Sequence, residues 1–206
     1  MDAPGALPLF PLPQVLLYPD AVVPLHLFEP RYRQMLADMV RAGEDRLVIA
    51  ALRPGYEPDY FGAPPVYEIG GIGKLVKCRR LADGRWNVVL QGERRVKILA
   101  EVPSGRLYRR VRVMELVEPP LPADDPAGLR ERLCRALHAV VGEDIRIPDC
   151  AHAGYLADVL LLQLPLDFAE RQALFAVVDP RERALRVLAC YGVERTLPPG
   201  CDPQSN

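Results

Sequence analysis

The stretch "VYEIGGIGKLVK", residues 66–77, sets Gly70, Gly71, Gly73 and Lys74 at a spacing that invites phosphate chemistry. A phosphate-cradling loop uses glycine N–H groups, a lysine on the terminal phosphates and a Ser or Thr hydroxyl on magnesium. Such a loop needs glycine five positions before the Gly-Lys pair and a hydroxyl directly after it, but these positions hold Glu68 and Leu75. A carboxylate there would repel the phosphate. The dinucleotide fingerprint also fails, because Val76 stands where its third glycine belongs. The glycines therefore read as part of a strand, marking a bulge or a close backbone approach. A metal site is the next chemistry to weigh. Cys134 and His138 stand four apart in a helical pattern, and Cys150-x-His152 follows after 11 residues. Zinc favours such ligands, but Cys134 falls in an apolar series with Leu133, Leu137 and Val141, so packed thiols are the plainer reading. The five cysteines include no CxxC pair, and their odd number argues against a disulfide framework. They read as core fillers in a reducing compartment, and none is marked as an activated nucleophile. No cofactor and no metal is expected.

The elements around these residues change character once. The 206 residues, 50% of them hydrophobic, suit one domain or a medium domain plus a small one. No apolar run reaches membrane-span length, and the N-terminus lacks the pattern of a signal peptide, so a cytoplasmic protein is expected. Up to residue 117 the pattern is β-structure interrupted by one helix. "QVLLY", "VVPLHLF" and "RLVIAAL" read as strands. "PRYRQMLADMVRAG" reads as a helix with Pro30 at its first position, an apolar face of Tyr32, Met35, Leu36, Met39 and Val40, and Gly43 at its end. Three long strands follow, "YEIGGIGKLVKCRR", "WNVVLQGERRVKILAEV" and "RLYRRVRVMELV", the first two joined by an Asp83-Gly84 hairpin. Residues 118–127 form a proline-rich, acidic linker. A helical bundle over 128–191 follows, with capping residues Asp167, Glu170 and Asp179, and then a tail, 192–206.

Taken in order, these residues resemble a known family. Leu7 to Pro11, Leu17 to Pro19 and Pro24 to Tyr32 are similar to the opening of the N-terminal substrate-recognition domain of Lon, the ATP-dependent protease. The last of these segments contains Phe28, Glu29, Arg31 and Tyr32. Tyr18 stands where the family commonly has phenylalanine, and Leu27 and Leu75 where it has isoleucine. Gly70 to Leu75, Asp83-Gly84 and the Gly92-x-x-Arg95 stretch match further motifs. The match covers 7–117; beyond it only helices of suitable length correspond. The resemblance implies an α+β fold, namely a PUA-like pseudo-barrel with one inserted helix followed by a small helical bundle. It also implies protein recognition without chemistry, in a free-standing member lacking the ATPase and peptidase.

The peptidase of that family uses a Ser–Lys pair, whereas this chain has only Ser104, Ser205, Thr196 and three lysines, Lys74, Lys77 and Lys97. An activated nucleophile needs a buried, oriented base, so no enzyme activity is expected. The middle segment, 74–117, carries 12 basic and 4 acidic residues, against 5 and 9 before it and 9 and 14 after it. Arg79, Arg80, Arg94, Arg109 and Arg110 could form a basic face, which makes RNA binding by strands 74–112 the alternative function. Only Trp86 and Tyr108 are available there for base stacking. For peptide recognition the candidates are Tyr56, Tyr60, Phe61 and Tyr67, on a loop stiffened by Pro54, Pro58, Pro64 and Pro65. The expected partners are thus proteins or unfolded peptide segments, with weak nucleic-acid contact as the alternative, no membrane, and self-association allowed. Phe28 and Tyr32 are expected to be buried between helix and barrel. Glu29 is expected to pair there with Arg95, or else Arg94, so that removing it costs on the order of 3 kcal/mol.

Overall fold

A loop laid flat on a sheet explains the glycines. The fold is seen in a computed structural model that describes residues 5–121, 128–142 and 144–196, with side chains through Gly192. Residues 122–127 of the expected linker, the end of the tail, Cys201 and Ser205, and the side chain of Thr196 lie outside the described residues. The chain divides into two compact units, Met1–Val117 and Glu118–Asn206.

In the first unit the strands are β1 (Leu7–Leu12), β2 (Val22–Leu27), β3 (Arg46–Ala51), β4 (Ile69–Arg80), β5 (Trp86–Val102) and β6 (Arg109–Glu115), with helix α1 (Pro30–Ala42) between β2 and β3. Their order is β2-β5-β4-β3-β1-β6, and β6 pairs with β5 as well as β1, so the sheet closes on itself. β1 and β3 run parallel, and the other pairs are antiparallel. β2 pairs with β5 alone, and an edge position of this kind tolerates Pro24. β3 is buried along nearly its whole length because its two faces serve two cores. Leu47 and Ile49 point to the core shared with α1, and Val48 and Ala50 point into the barrel. An uninterrupted apolar run is what a strand covered on both faces requires.

α1 begins at Pro30 and ends at Gly43, whose φ of 68° is left-handed. Tyr32, Met35, Leu36 and Met39 are buried against Leu27, Trp86, Val88 and Leu90 of the sheet. The Tyr32 hydroxyl donates to the Pro11 carbonyl at 3.4 Å, and burial raises its pKa far above the usual tyrosine range. Two expected members of this packing are not in it. Val40 is exposed, and so is Phe28, at 61% of its surface.

The segment "QVLLY" is not a strand. The strand lies just before it, at "LPLFPL", and residues 15–18 carry no regular structure. Gln14 and Asp20, with φ of 53° and 62°, turn the chain at either end of a crossing segment. Leu17 and Tyr18 are buried beneath it. A Cβ on Gly71 would stand 2.2 Å from the Leu17 carbonyl oxygen, and one on Gly92 would stand 2.0 Å from that of Tyr18. The crossing is tied down by the Asp20 N–H donating to the Gly92 carbonyl at 2.9 Å and the Gly92 N–H donating to Ala21 at 2.8 Å. The pairing of β4 and β5 slips between Ile72 and Gly73, a bulge at the same place.

The second unit contains α2 (Leu129–Val141), α3 (Ala153–Gln163), α4 (Phe168–Phe175) and α5 (Pro180–Thr196). Asp167 and Glu170 form the expected capping box on α4. The Asp179 carboxylate accepts from the N–H groups of Arg181 and Glu182 at 2.8 and 3.0 Å. Arg183, fully buried, joins α5 to Asp158 of α3 at 2.9 Å and to Glu118 at 3.0 Å. A charge this deep is stable only with such partners.

Gly92→Ala is expected to cost about 3 kcal/mol or more, since it drives a methyl group into a backbone oxygen that cannot rotate away. Gly73→Ala meets only the Leu17 Cδ2 methyl, at 2.7 Å, and should cost about 1 kcal/mol. Urea unfolding of the two variants measures the difference.

Candidate functional site

Glu29 is the N-cap residue of α1, but its side chain caps nothing. Its carboxylate turns sideways instead. Arg31 Nε donates to Oε2 at 2.9 Å, and the Tyr60 hydroxyl donates to Oε1 at 3.0 Å. Arg31 Nη1 also donates to the Tyr60 carbonyl at 3.1 Å. The Arg31 guanidinium carbon lies 4.7 Å from the Tyr32 ring centre, 5.0 Å from Tyr60 and 5.9 Å from Phe61. One arginine thus connects the start of the helix to the aromatic loop through an ion pair, a main-chain hydrogen bond and cation–π contacts. The Tyr60 hydroxyl is held above the usual tyrosine pKa, first by burial and then by its bond to the Glu29 carboxylate.

Within the loop the Tyr60 ring stands 6.1 Å from Tyr56 and meets Phe61 edge-on at 5.1 Å. A 3-10 turn over Glu57–Asp59 shapes it, and the Asp59 carbonyl accepts from Gly62 at 2.8 Å. Its far end is pinned by Arg109 Nη1 donating to the Pro64 carbonyl at 2.8 Å and by the Arg53 N–H donating to Pro65 at 2.9 Å. Tyr67 belongs to a separate arrangement, under the guanidinium of Arg53 at 5.9 Å. Tyr56 and Tyr60 are half-buried, whereas Phe61 is 83% exposed. Phe28, next to Glu29, stacks at 6.3 Å on the His26 ring and is otherwise open. The two exposed phenylalanines are therefore chain neighbours of two residues bonded to each other, Glu29 and Tyr60.

The expected Glu29–Arg95 pair does not form. Arg95 lies in the interior of β5 opposite Gly71, with 1% of its surface exposed, and Arg94 pairs with Glu115 at 2.6 Å. Arg31, two residues along the same turn, reaches Glu29 first. The sequence offered no signal that a loop 31 residues away would return its tyrosine to the same carboxylate.

The basic strands are for the most part neutralised from within. Lys74 faces Asp45, Arg85 faces Asp83, Lys97 faces Glu68, Arg106 faces Asp38, Arg109 faces Glu101 and Arg110 faces Glu44. Arg46 and Glu93 make a close pair at 2.6 Å that lowers the glutamate's pKa. Trp86 and Tyr108 are buried at 7% and 3% exposure and offer no platform for bases. The RNA reading of strands 74–112 thus loses Arg94, Arg109 and Arg110 to other duties. Arg79, Arg80, Lys77 and Arg112 enter no ion pair among the described residues, and Arg80 stands 5.9 Å over the Trp86 ring.

Among the described residues no three metal-ligating side chains converge. Cys134 is half-buried rather than core, Val141 of its series is exposed, and Cys150 is exposed. His152 caps α3 by accepting from the Tyr155 N–H at 3.2 Å. Cys78 is exposed, and partial desolvation by its strand neighbours raises the pKa of its thiol, which works against thiolate chemistry.

Comparison with known proteins places this geometry. The model of the ATP-dependent protease La (LON) substrate-binding domain matches residues 6–190. A Lon protease of Anaeromyxobacter dehalogenans is 26% identical over 95% of this chain, and Lon protease 2 of Herpetosiphon aurantiacus is 29% identical over 88%. The chain spans about a quarter of these relatives, 24% and 23% of their lengths. A Lon N-terminal domain protein from Xanthomonas campestris superposes with a TM-score of 0.67 at 24% identity, covering 89% of this chain and 97% of that one. The N-terminal domain of a Mycobacterium avium complex Lon protease gives 0.66 at 22%, covering 91% and 98%. The fold is that of these domains.

Glu29→Ala should cost about 1–2 kcal/mol, less than an orphaned buried charge, because its partners retain access to water. A double-mutant cycle with Tyr60→Phe is expected to show coupling of about 1 kcal/mol, and one with Arg95→Ala none. A raised Tyr60 pKa means its contribution is complete below the unfolded value of about 10 and is lost as pH rises above it. Tyr60→Phe should accordingly flatten the alkaline fall in the urea midpoint.

Proposed function

Because the chain belongs to the family of the ATP-dependent protease La (LON) substrate-binding domain, we propose that it recognises proteins through apolar, unfolded segments and carries out no chemistry on them. The observation that carries this reading is the pair of exposed rings, Phe28 and Phe61, held on a rigid mount. An exposed aromatic side chain forfeits burial worth about 1.5–3 kcal/mol, which a partner recovers on binding. The Glu29–Arg31–Tyr60 linkage and the prolines order the loop beforehand, so little entropy is lost when a segment docks.

The absence of chemistry rests on the basic groups. Two of the three lysines, Lys74 and Lys97, are ion-paired at 3.8 and 3.7 Å, Lys77 lies on β4, and Ser104 lies in the connection between β5 and β6. A charged, paired lysine is a poor general base. We place the protein in the cytoplasm. What supports this is its family, its free thiols, and the lack, among the described residues, of any helix long and apolar enough to cross a membrane.

Phe28→Ser combined with Phe61→Ser should leave the unfolding midpoint unchanged and weaken retention of a reduced, carbamidomethylated protein by roughly tenfold. Unchanged retention, or collapse of the fold, would overturn the reading. Pure protein should also show no ATP hydrolysis or peptide cleavage. A turnover abolished by a single substitution would refute that part.

A further inference from the structure

We infer that the outward face of β2, β5 and β4 is a docking groove for an extended acidic peptide segment, a client class that rests on the recognition reading above. β5 and its neighbours have two faces. Leu25, Leu75, Val88 and Leu90 point to the core beneath α1. On the other face a shallow groove of about 530 Å³ runs across the three strands. The strand register arranges the lining residues in two rows, Pro24–Val89–Lys77 and His26–Asn87–Arg79, with Leu25–Val88–Cys78 between them. His26 and Asn87 are bonded at 2.6 Å, which fixes the second row.

Charge decides the occupant. No carboxylate lines the groove. Seven of the basic residues from 74 to 117 face a carboxylate, as described above, whereas Lys77 and Arg79 enter no ion pair among the described residues. Of the four basic residues in this segment that enter no ion pair among the described residues, Lys77, Arg79, Arg80 and Arg112, only Lys77 and Arg79 line the groove. They lie two residues apart on one strand face, so their side chains are separated by about 7 Å. An extended peptide repeats at the same interval, and carboxylates at alternate positions would meet both cations, Arg79 bidentately. The residues between would rest on Pro24 and Val89. The groove also adjoins the aromatic patch, since its His26 is the ring on which Phe28 stacks, 6.3 Å away. A single-stranded nucleic acid fits less well, because two cations make few phosphate contacts and the groove's one ring, His26, is already stacked on Phe28 and bonded to Asn87.

The test measures fluorescence anisotropy of a labelled peptide of alternating glutamate and valine against the full chain. The same glutamates gathered in one block, lysine in place of glutamate, and a short uridine oligomer serve as comparisons. The alternating peptide should bind best and weaken as salt rises. Lys77→Glu with Arg79→Glu, at exposed positions, should keep the unfolding midpoint and lose roughly tenfold in affinity. Phe28→Ser with Phe61→Ser should retain that binding. Equal affinity for the block peptide, indifference to the charge reversal, or tighter binding of the oligomer would each overturn the groove. If the carbamidomethylated protein is still retained by wild type in that case, the recognition reading survives and only the acidic client class falls.

Discussion

The first unit depends on a stretch of main chain that must lie flat on a sheet. Residues 15–18 cross β4 and β5 so closely that the carbonyls of Leu17 and Tyr18 occupy the space a Cβ would take at Gly71 and Gly92. Any side chain at either position would lift the crossing segment off the sheet. The crossing buries Leu17 and Tyr18, closes one side of the α1 core, and hands the chain to β2 through the hydrogen bonds between Gly92 and residues 20 and 21. β2 then delivers His26, Phe28 and Glu29 to the start of the helix. The glycines that suggest phosphate chemistry are therefore structural, and they control the recognition surface indirectly.

That surface combines rigidity with exposure. Arg31 makes it rigid, because a planar guanidinium can pair with a carboxylate at its edge while its face lies against rings. Tyr60 contributes its hydroxyl to Glu29 and its carbonyl to Arg31, so the loop is ordered from both its side chain and its backbone. Phe61, on the neighbouring position, is pushed outward by this arrangement. The rings are exposed because their neighbours are held in place, which is what a preorganised docking site needs.

Charge follows a similar logic. The excess of arginine in the middle strands resembles a polyanion footprint only while the chain is considered one segment at a time. Asp38, Glu44 and Asp45, from α1 and the turn after it, approach Arg106, Arg110 and Lys74 in the folded unit. Four of the segment's cations, Lys97 with Glu68 included, are thus met by carboxylates that precede the segment in sequence. Apart from Arg112 on β6, what remains among the described residues lies on the β4 side of the hairpin, around Lys77, Arg79 and Arg80.

The period of the apolar residues, the capping residues Asp167, Glu170 and Asp179, and the Asp83-Gly84 turn are local properties, so the strands β2 to β6 and the helices α1 to α5 are legible in the sequence. The motifs from Leu7 to Tyr32 carry the family for the same reason, since they are contiguous. The segment "QVLLY" misleads because its β-branched and apolar residues are buried as strand residues would be, but beneath a crossing loop rather than in a ladder. Phe28 misleads because an aromatic residue between a strand and a helix is ordinarily core, and nothing local says that it faces out. Which carboxylate meets which guanidinium depends on where separate segments come to lie. The pairing of Glu29 with Tyr60, and the freedom of Lys77 and Arg79 from ion pairs among the described residues, are therefore decided by tertiary structure alone, because ion pairs are selected by distance in space and sequence records only distance along the chain.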